Sequence, residues 1–181
     1  MSAPTRRRGL AAACQGAVAV EFALLAPVMV VLLLGVIGLA QTMTAANKVQ
    51  QATATIADLV TQSREVDTAA LEAIVTAGRQ ILYPFPAGAA LFGGRVICVR
   101  FDGTPPAVTA RALWTYSFGD QPGTSPDLSR FTGLAQPEID VIVVSVEYRH
   151  ELAVPSPVFN SLTIRELAVS RPRVTKTVER K

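Results

Sequence analysis

Residues Ala17–Ala40 read AVAVEFALLAPVMVVLLLGVIGLA, twenty-four residues with a single ionisable group, Glu21. As a helix this run spans roughly 36 Å at about 1.5 Å per residue, enough to cross a hydrocarbon core of about 30 Å. No lysine or arginine occurs from Gly9 to Asn47. Buried helices of soluble proteins seldom carry so long an apolar stretch. Arg6, Arg7 and Arg8 precede the run, and basic flanks stay on the cytoplasmic side. The expectation is a single-pass anchor with a cytoplasmic N-terminus and the rest of the chain across the membrane.

Composition agrees with an anchored small domain. The chain has 181 residues, 50% of them apolar and 17% charged, too hydrophobic for intrinsic disorder. Its formal charge of +3 sits at the two ends. The last eleven residues hold five basic groups (Arg171, Arg173, Lys176, Arg180 and Lys181) against Glu179, whereas residues 9–170 carry nine basic and thirteen acidic groups. That balance disfavours a broad cationic surface for nucleic acid. Two cysteines, Cys14 and Cys98, make no disulfide framework, and with one histidine they leave little for zinc.

The N-terminus admits several export signals. A conventional signal peptide has a shorter apolar region of about 7–15 residues. The small residues Thr42-Met43-Thr44-Ala45-Ala46 nevertheless keep that cleavage open. Thr5-Arg6-Arg7-Arg8 has the arginines of a twin-arginine signal, but Gly9 stands where a bulky apolar residue is usual. Cys14 precedes the apolar run, the wrong order for a lipoprotein cysteine.

A fourth arrangement fits best: a short basic leader ending at Gly16, then an apolar helix from Ala17 with glutamate at its fifth position. Gly16-Ala17-Val18-Ala19-Val20-Glu21-Phe22 resembles the processing site of type IV prepilins and pseudopilins. The longer run Gly16–Ile37, with Glu21, Phe22, Pro27 and a leucine-rich stretch, resembles the start of TadE-like proteins. These are minor pseudopilins of the tight-adherence (Flp/type IVb) pilus machinery. A TadG-like chain is expected to be longer, and a TadF-like sibling of similar size stays open.

The resemblance implies that a prepilin peptidase cuts between Gly16 and Ala17 on the cytoplasmic face. The mature chain would have 165 residues, with fourteen basic and fourteen acidic side chains. It further implies that Glu21 pairs with the new Ala17 amine, in the same chain or a neighbour, as pilin-like helices pack. A carboxylate in a membrane helix costs roughly 2.5–3.5 kcal/mol on insertion scales, so a partner or a task is expected. Pro27 removes a backbone donor and is expected to kink the helix. The implied partners are the prepilin peptidase, other pilin-like subunits and the membrane, with no nucleic acid. The implied place is a bacterial inner membrane, with the C-terminal domain periplasmic.

The expected layout is a leader over 1–16, a membrane helix over 17–40, a helical extension over 41–83 and a periplasmic domain with a basic tail over 84–181. The fold class is α+β, with the helix joined to a small antiparallel sheet. Ala45, Val49, Ala52, Ile56, Leu59 and Val66 recur at helical spacing. Asp67 or Thr68 caps a second segment bearing Leu71, Ile74, Val75, Gly78, Ile81 and Leu82, either a bend or a separate helix. Tyr83-Pro84-Phe85-Pro86, with Gly88, Gly93 and Gly94, predicts a break to about residue 94. Strands are expected at 96–101, at 111–118 with Ala112, Trp114, Tyr116 and Phe118 on one face, at 141–152 and at 162–169. The third alternates Ile142, Val144, Val146, Tyr148 and Leu152 against Ser145, Glu147, Arg149 and Glu151, which predicts a half-exposed sheet ended by Pro155 and Pro157. Residues 119–136 read as a long loop.

Catalytic signatures are missing: the sequence holds no G-x-S-x-G, H-E-x-x-H, C-x-x-C or P-loop pattern. His150 is expected in surface or edge packing, and Cys98 as a buried thiol. Asp120 and Asp127 offer at most a weak calcium site. No enzyme activity, cofactor or metal is expected. A single-pass envelope protein with a binding domain unrelated to pili is the alternative.

Overall fold

A computed structural model describes residues 7–103, 108–134, 139–152 and 161–181, with side chains from residue 18 onward, Leu134 excepted. Arg6, Gln136, Pro155 and Pro157 therefore lie outside the described residues. The chain forms two units, Met1–Gln41 and Thr42–Lys181. Helix α1 (Arg7–Gln62) runs through both.

From Val18 to Leu39 large apolar side chains lie on all sides of α1, and none of these is buried. Its most hydrophobic 18-residue window has a mean hydropathy of 2.8 and is wholly unburied. Leu24 and Phe22 are 72% and 67% exposed. A helix apolar all round is stable in a membrane or a core, and among the described residues none packs over this window. The segment is long and apolar enough to cross a membrane, consistent with a single-pass anchor.

In the second unit α1 becomes one-sided. Ala45, Val49, Ala52, Ile56, Ala57 and Val60 are buried at steps of three and four residues. Thr53 and Thr61 are buried on the same stretch, and their hydroxyls donate back to Val49 O at 2.7 Å and Asp58 O at 2.8 Å. Leu59 is half-buried. The helix ends at Gln62, Val66 enters the short strand β1 (Glu65–Val66), and α2 (Thr68–Ile81) follows as a separate helix. Asp67 caps α2, accepting from Ala70 N–H at 2.6 Å. Leu71, Val75 and Gly78 face inward. A Cβ at Gly78 would come within 2.7 Å of Ile56 Cδ1, so glycine permits the approach of the two helices.

The sheet comprises β2 (Phe92–Asp102), β3 (Thr109–Phe118), β4 (Val141–Glu151) and β5 (Ser161–Ser170), all antiparallel in the order β3-β2-β4-β5. Phe92, Val96, Cys98, Ile142, Val144, Val146 and Tyr148 pack with α1 and α2 in one core. Ile97, Val99, Phe101, Val141 and Val143 form a second core on the other face, under Leu128 and Phe131 of a 3₁₀ segment, Leu128–Leu134.

Four expectations need correction. Gly93 and Gly94 are strand residues: a Cβ at Gly93 would lie 2.5 Å from Gln121 O, and one at Gly94 would lie 2.6 Å from the Phe118 ring. They serve close approach, not a break. The register of β2 with β3 shifts between Cys98 and Val99, whose partners are Trp114 and Ala112, leaving Leu113 as a bulge. Trp114, Tyr116 and Phe118 thus join the helix-side core, while Ala112 turns away and is exposed. The first half of β4 is buried on both faces because the 3₁₀ segment covers Val141 and Val143, so the strand is half-exposed only from Ser145 onward. Leu152 lies beyond its end.

The basic tail is docked. Strand β6 (Glu179–Arg180) pairs in parallel with β1, and Lys181 makes an ion pair with Glu65. Arg173 lies 2.8 Å from Asp58, an ion pair without the alignment of a hydrogen bond. Trp114 Nε1–H donates to Val178 O at 2.8 Å, and Val178 is buried. Arg180 donates to Thr115 O at 2.8 Å with its guanidinium 5.9 Å from the Tyr116 ring.

Candidate processing site and anchor helix

The backbone at Gly16 and Ala17 is helical, since α1 already begins at Arg7 and not at Ala17. Their side chains lie outside the described set, as do those of Arg7, Arg8 and Cys14. Glu21 stands about 6 Å along the axis from Ala17 at the usual helical rise. It is exposed, and among the described residues no hydrogen bond or ion pair reaches it. Phe22 is exposed beside it. Pro27 lies inside the helix, which continues on both sides. Neighbouring helices, hydroxyls or water commonly satisfy the freed backbone group in membrane helices.

The remaining candidates have structural roles. Cys98 is fully buried, and burial, helped by the nearby Asp140 charge, pushes its thiol up to about 12. Asp140 is buried and accepts two bonds from Arg100, each 2.8 Å. Asp127 Oδ1 accepts from Ser129 N–H at 3.0 Å and from its hydroxyl at 2.7 Å, and those bonds hold its carboxyl below the usual range. That is a cap on the 3₁₀ segment. Asp120 is exposed in the preceding loop. Among the described residues no group of three or more His, Cys, Asp or Glu is placed to hold a metal.

His150 departs from its expected surface setting. It is 3% exposed, edge-on to Phe85 with centroids 5.4 Å apart and 6.2 Å from the Tyr148 ring. Burial lowers its pKa. Its even position in β4 turns it toward the helices, and the Tyr83–Pro86 turn folds over that end of the strand. The flanking charges Arg149 and Glu151 masked this in the sequence. A cleft of about 460 Å³ opens beside β5, lined by Val141, Val169, Ser170, Arg171, Pro172 and Arg173.

Comparison with known proteins bears on helix α1 alone. No curated protein and no solved structure matches the chain. Residues 16–58, about a quarter of the chain and beginning at Gly16, match a family model described as TadE-like protein.

Proposed function

We propose that the chain is a minor pseudopilin supporting assembly or secretion of an adhesive type IVb pilus. The observation that carries this reading is the coincidence at Gly16. The TadE-like match starts there, and the unburied apolar helix with its fifth-position Glu21 follows directly. A prepilin peptidase removes residues 1–16, and Ala17 becomes the mature N-terminus. The cytoplasmic side holds Arg6–Arg8 before cleavage, and the sheet lies in the periplasm. The protein acts through helix packing with pilin-like subunits, without catalysis of its own. The docked tail supports a structural outer domain, because its arginines are engaged in holding β6 and Val178 in place.

N-terminal sequencing of the membrane-purified protein tests this. Ala17 is expected first, and Gly16→Leu should block processing while insertion persists. A first residue near Ala46, or efficient maturation of Gly16→Leu, overturns the assignment.

A further inference from the structure

Strand β5 ends the sheet order β3-β2-β4-β5, so one of its two edges has no neighbouring strand. Its ten residues pair with β4 in one unbroken register, from Ile142↔Ser170 to Glu151↔Ser161. Among the described residues no hydrogen bond reaches its backbone from the open side. Edges of this length are usually blunted by proline, lysine or a bulge. Ser161–Ser170 contains no proline, lysine or glycine, and no bulge. The opposite edge differs: β3 is bulged at Leu113, and Arg180 of the docked tail donates to Thr115 O at 2.8 Å.

Both faces beside the open edge have room. The register with β4 sets Leu162, Ile164, Glu166 and Ala168 on the helix side, and Arg165, Leu167 and Val169 on the other. Leu162 and Leu167, one on each face, are 47% and 44% exposed. On the helix side a cleft of about 370 Å³ lies between β5 and Ala54, Ala57 and Asp58 of α1. On the other, a cleft of about 290 Å³ lies between β5 and Arg130 and Phe131. An added strand sends alternate side chains to the two faces, and each would find a recess.

The charges decide which strand fits. Antiparallel pairing of β5 with a second copy about a two-fold axis sets each residue opposite one of the same face. The two registers of greatest overlap put Arg165 or Glu166 opposite its own copy, and like charges directly opposite are destabilising. A different strand escapes this. Arg165 is already paired with Glu147 at 3.1 Å. Glu166 is half-buried on the helix side, and among the described residues no ion pair or hydrogen bond reaches it. Its complement is a cation, flanked two positions away by apolar residues that meet Ile164 and Ala168. We propose that β5 is a docking edge for an extended segment of another protein, which adds as a fifth strand and carries a lysine or arginine opposite Glu166 between two apolar residues. The docking draws only on the second unit, and it holds whether or not Gly16 is a processing site.

Titration with a designed peptide tests it. The probe is acetylated and amidated Thr-Val-Thr-Lys-Thr-Val-Thr, whose residue order is the same in either direction. It is added to the isotope-labelled full chain in detergent micelles, and the backbone amide resonances are followed. Saturable shifts centred on residues 161–170 are expected, with half-saturation below about 5 mM. Glu166→Gln should weaken binding about threefold, and a peptide with norleucine for lysine should bind wild type and Glu166→Gln alike. A peptide N-methylated at its three central residues should not bind, because it lacks the donors that a strand supplies. No saturable shift in residues 161–170 overturns the docking edge, and equal binding by the N-methylated peptide overturns strand addition. Unchanged affinity for Glu166→Gln overturns the choice of a basic partner. Shifts in β5 that grow with protein concentration alone overturn it in favour of a second copy.

Discussion

The docking of the tail predicts a specific non-additivity between Trp114 and Val178. Val178 is 1% exposed in the helix-side core, and its carbonyl accepts the Trp114 indole N–H at 2.8 Å. Trp114→Phe keeps a ring in place but strips that carbonyl of its donor, which costs about 1–2 kcal/mol. Val178→Asp forfeits about 1.5–3 kcal/mol of side-chain burial. A carboxylate is too costly to bury there, so the segment releases instead, and its docking energy caps the loss. Once released, the carbonyl is hydrated and Trp114→Phe should cost almost nothing more. The pair should therefore show an interaction energy of about 1–2 kcal/mol in a double-mutant cycle. In a unit of this size each kcal/mol moves the melting temperature by about 2–4 °C. Circular dichroism melts of the full chain in detergent read all four proteins. Additive losses, or a Val178→Asp melt within about 2 °C of wild type, would show that the tail is not an integral part of the fold.

Two further outcomes follow from single groups. Glu21→Gln removes the charge but not the size, so insertion and cleavage after Gly16 should persist while co-purification with pilin-like subunits and surface pili fall; normal assembly in both Glu21→Gln and Glu21→Ala would eliminate the pairing role. His150 has its pKa lowered by burial, so below about 6.5 the unfolded chain takes up a proton that the folded chain refuses. Its contribution to stability is therefore complete above that pH and is lost as pH falls toward the lower folded value, at no more than about 1.4 kcal/mol per pH unit. Melts at about pH 7.5 and about pH 5.5 should differ in wild type, and the difference should shrink in His150→Leu; an equal difference in both would assign the slope to other groups.

The parts legible in sequence are those where one periodicity governs. Ala45–Val60 follow a single helical stripe, and Asp67 announces α2 through its own side chain. The even face of β4 reads correctly because Ile142, Val144, Val146 and Tyr148 all meet the helices. Failures occur where a distant segment decides. Nothing local to Leu113 marks a bulge; it follows from the register with β2. Gly93 and Gly94 look like punctuation until Phe118, Gln121 and Ser145 come near. His150 sits between two charges in sequence, yet Phe85 closes over it from sixty-five residues away. The docking of the basic tail has no local signal, because its partners, Asp58, Glu65 and Trp114, are remote in sequence. At the candidate site the signal from Gly16 to Glu21 is contiguous in sequence, and the family match begins at its first residue.

Helix α1 changes character along its length. From Val18 to Met43 large apolar side chains lie on all sides, 38–72% exposed. From Ala45 onward burial is confined to one stripe of mostly small residues, which allow Gly78 and the sheet to come close. Among the described residues the first stretch contributes nothing to the core of the second unit. The second must fit α2 and the sheet. The TadE-like match spans both, from Gly16 to Asp58, and stops inside α1. It therefore includes the surface on which the sheet is built, but not the sheet. On the proposed function, the shared helix supplies insertion and subunit packing, and choice among partners belongs to residues beyond it. Glu21 marks the division: it is an exposed carboxylate in a stretch that otherwise carries no charge, and the described fold gives it no partner. On the proposed function, its cost of roughly 2.5–3.5 kcal/mol in a bilayer would be relieved by the amine that cleavage creates, its own or a neighbour's, and processing and assembly would be linked through one charge.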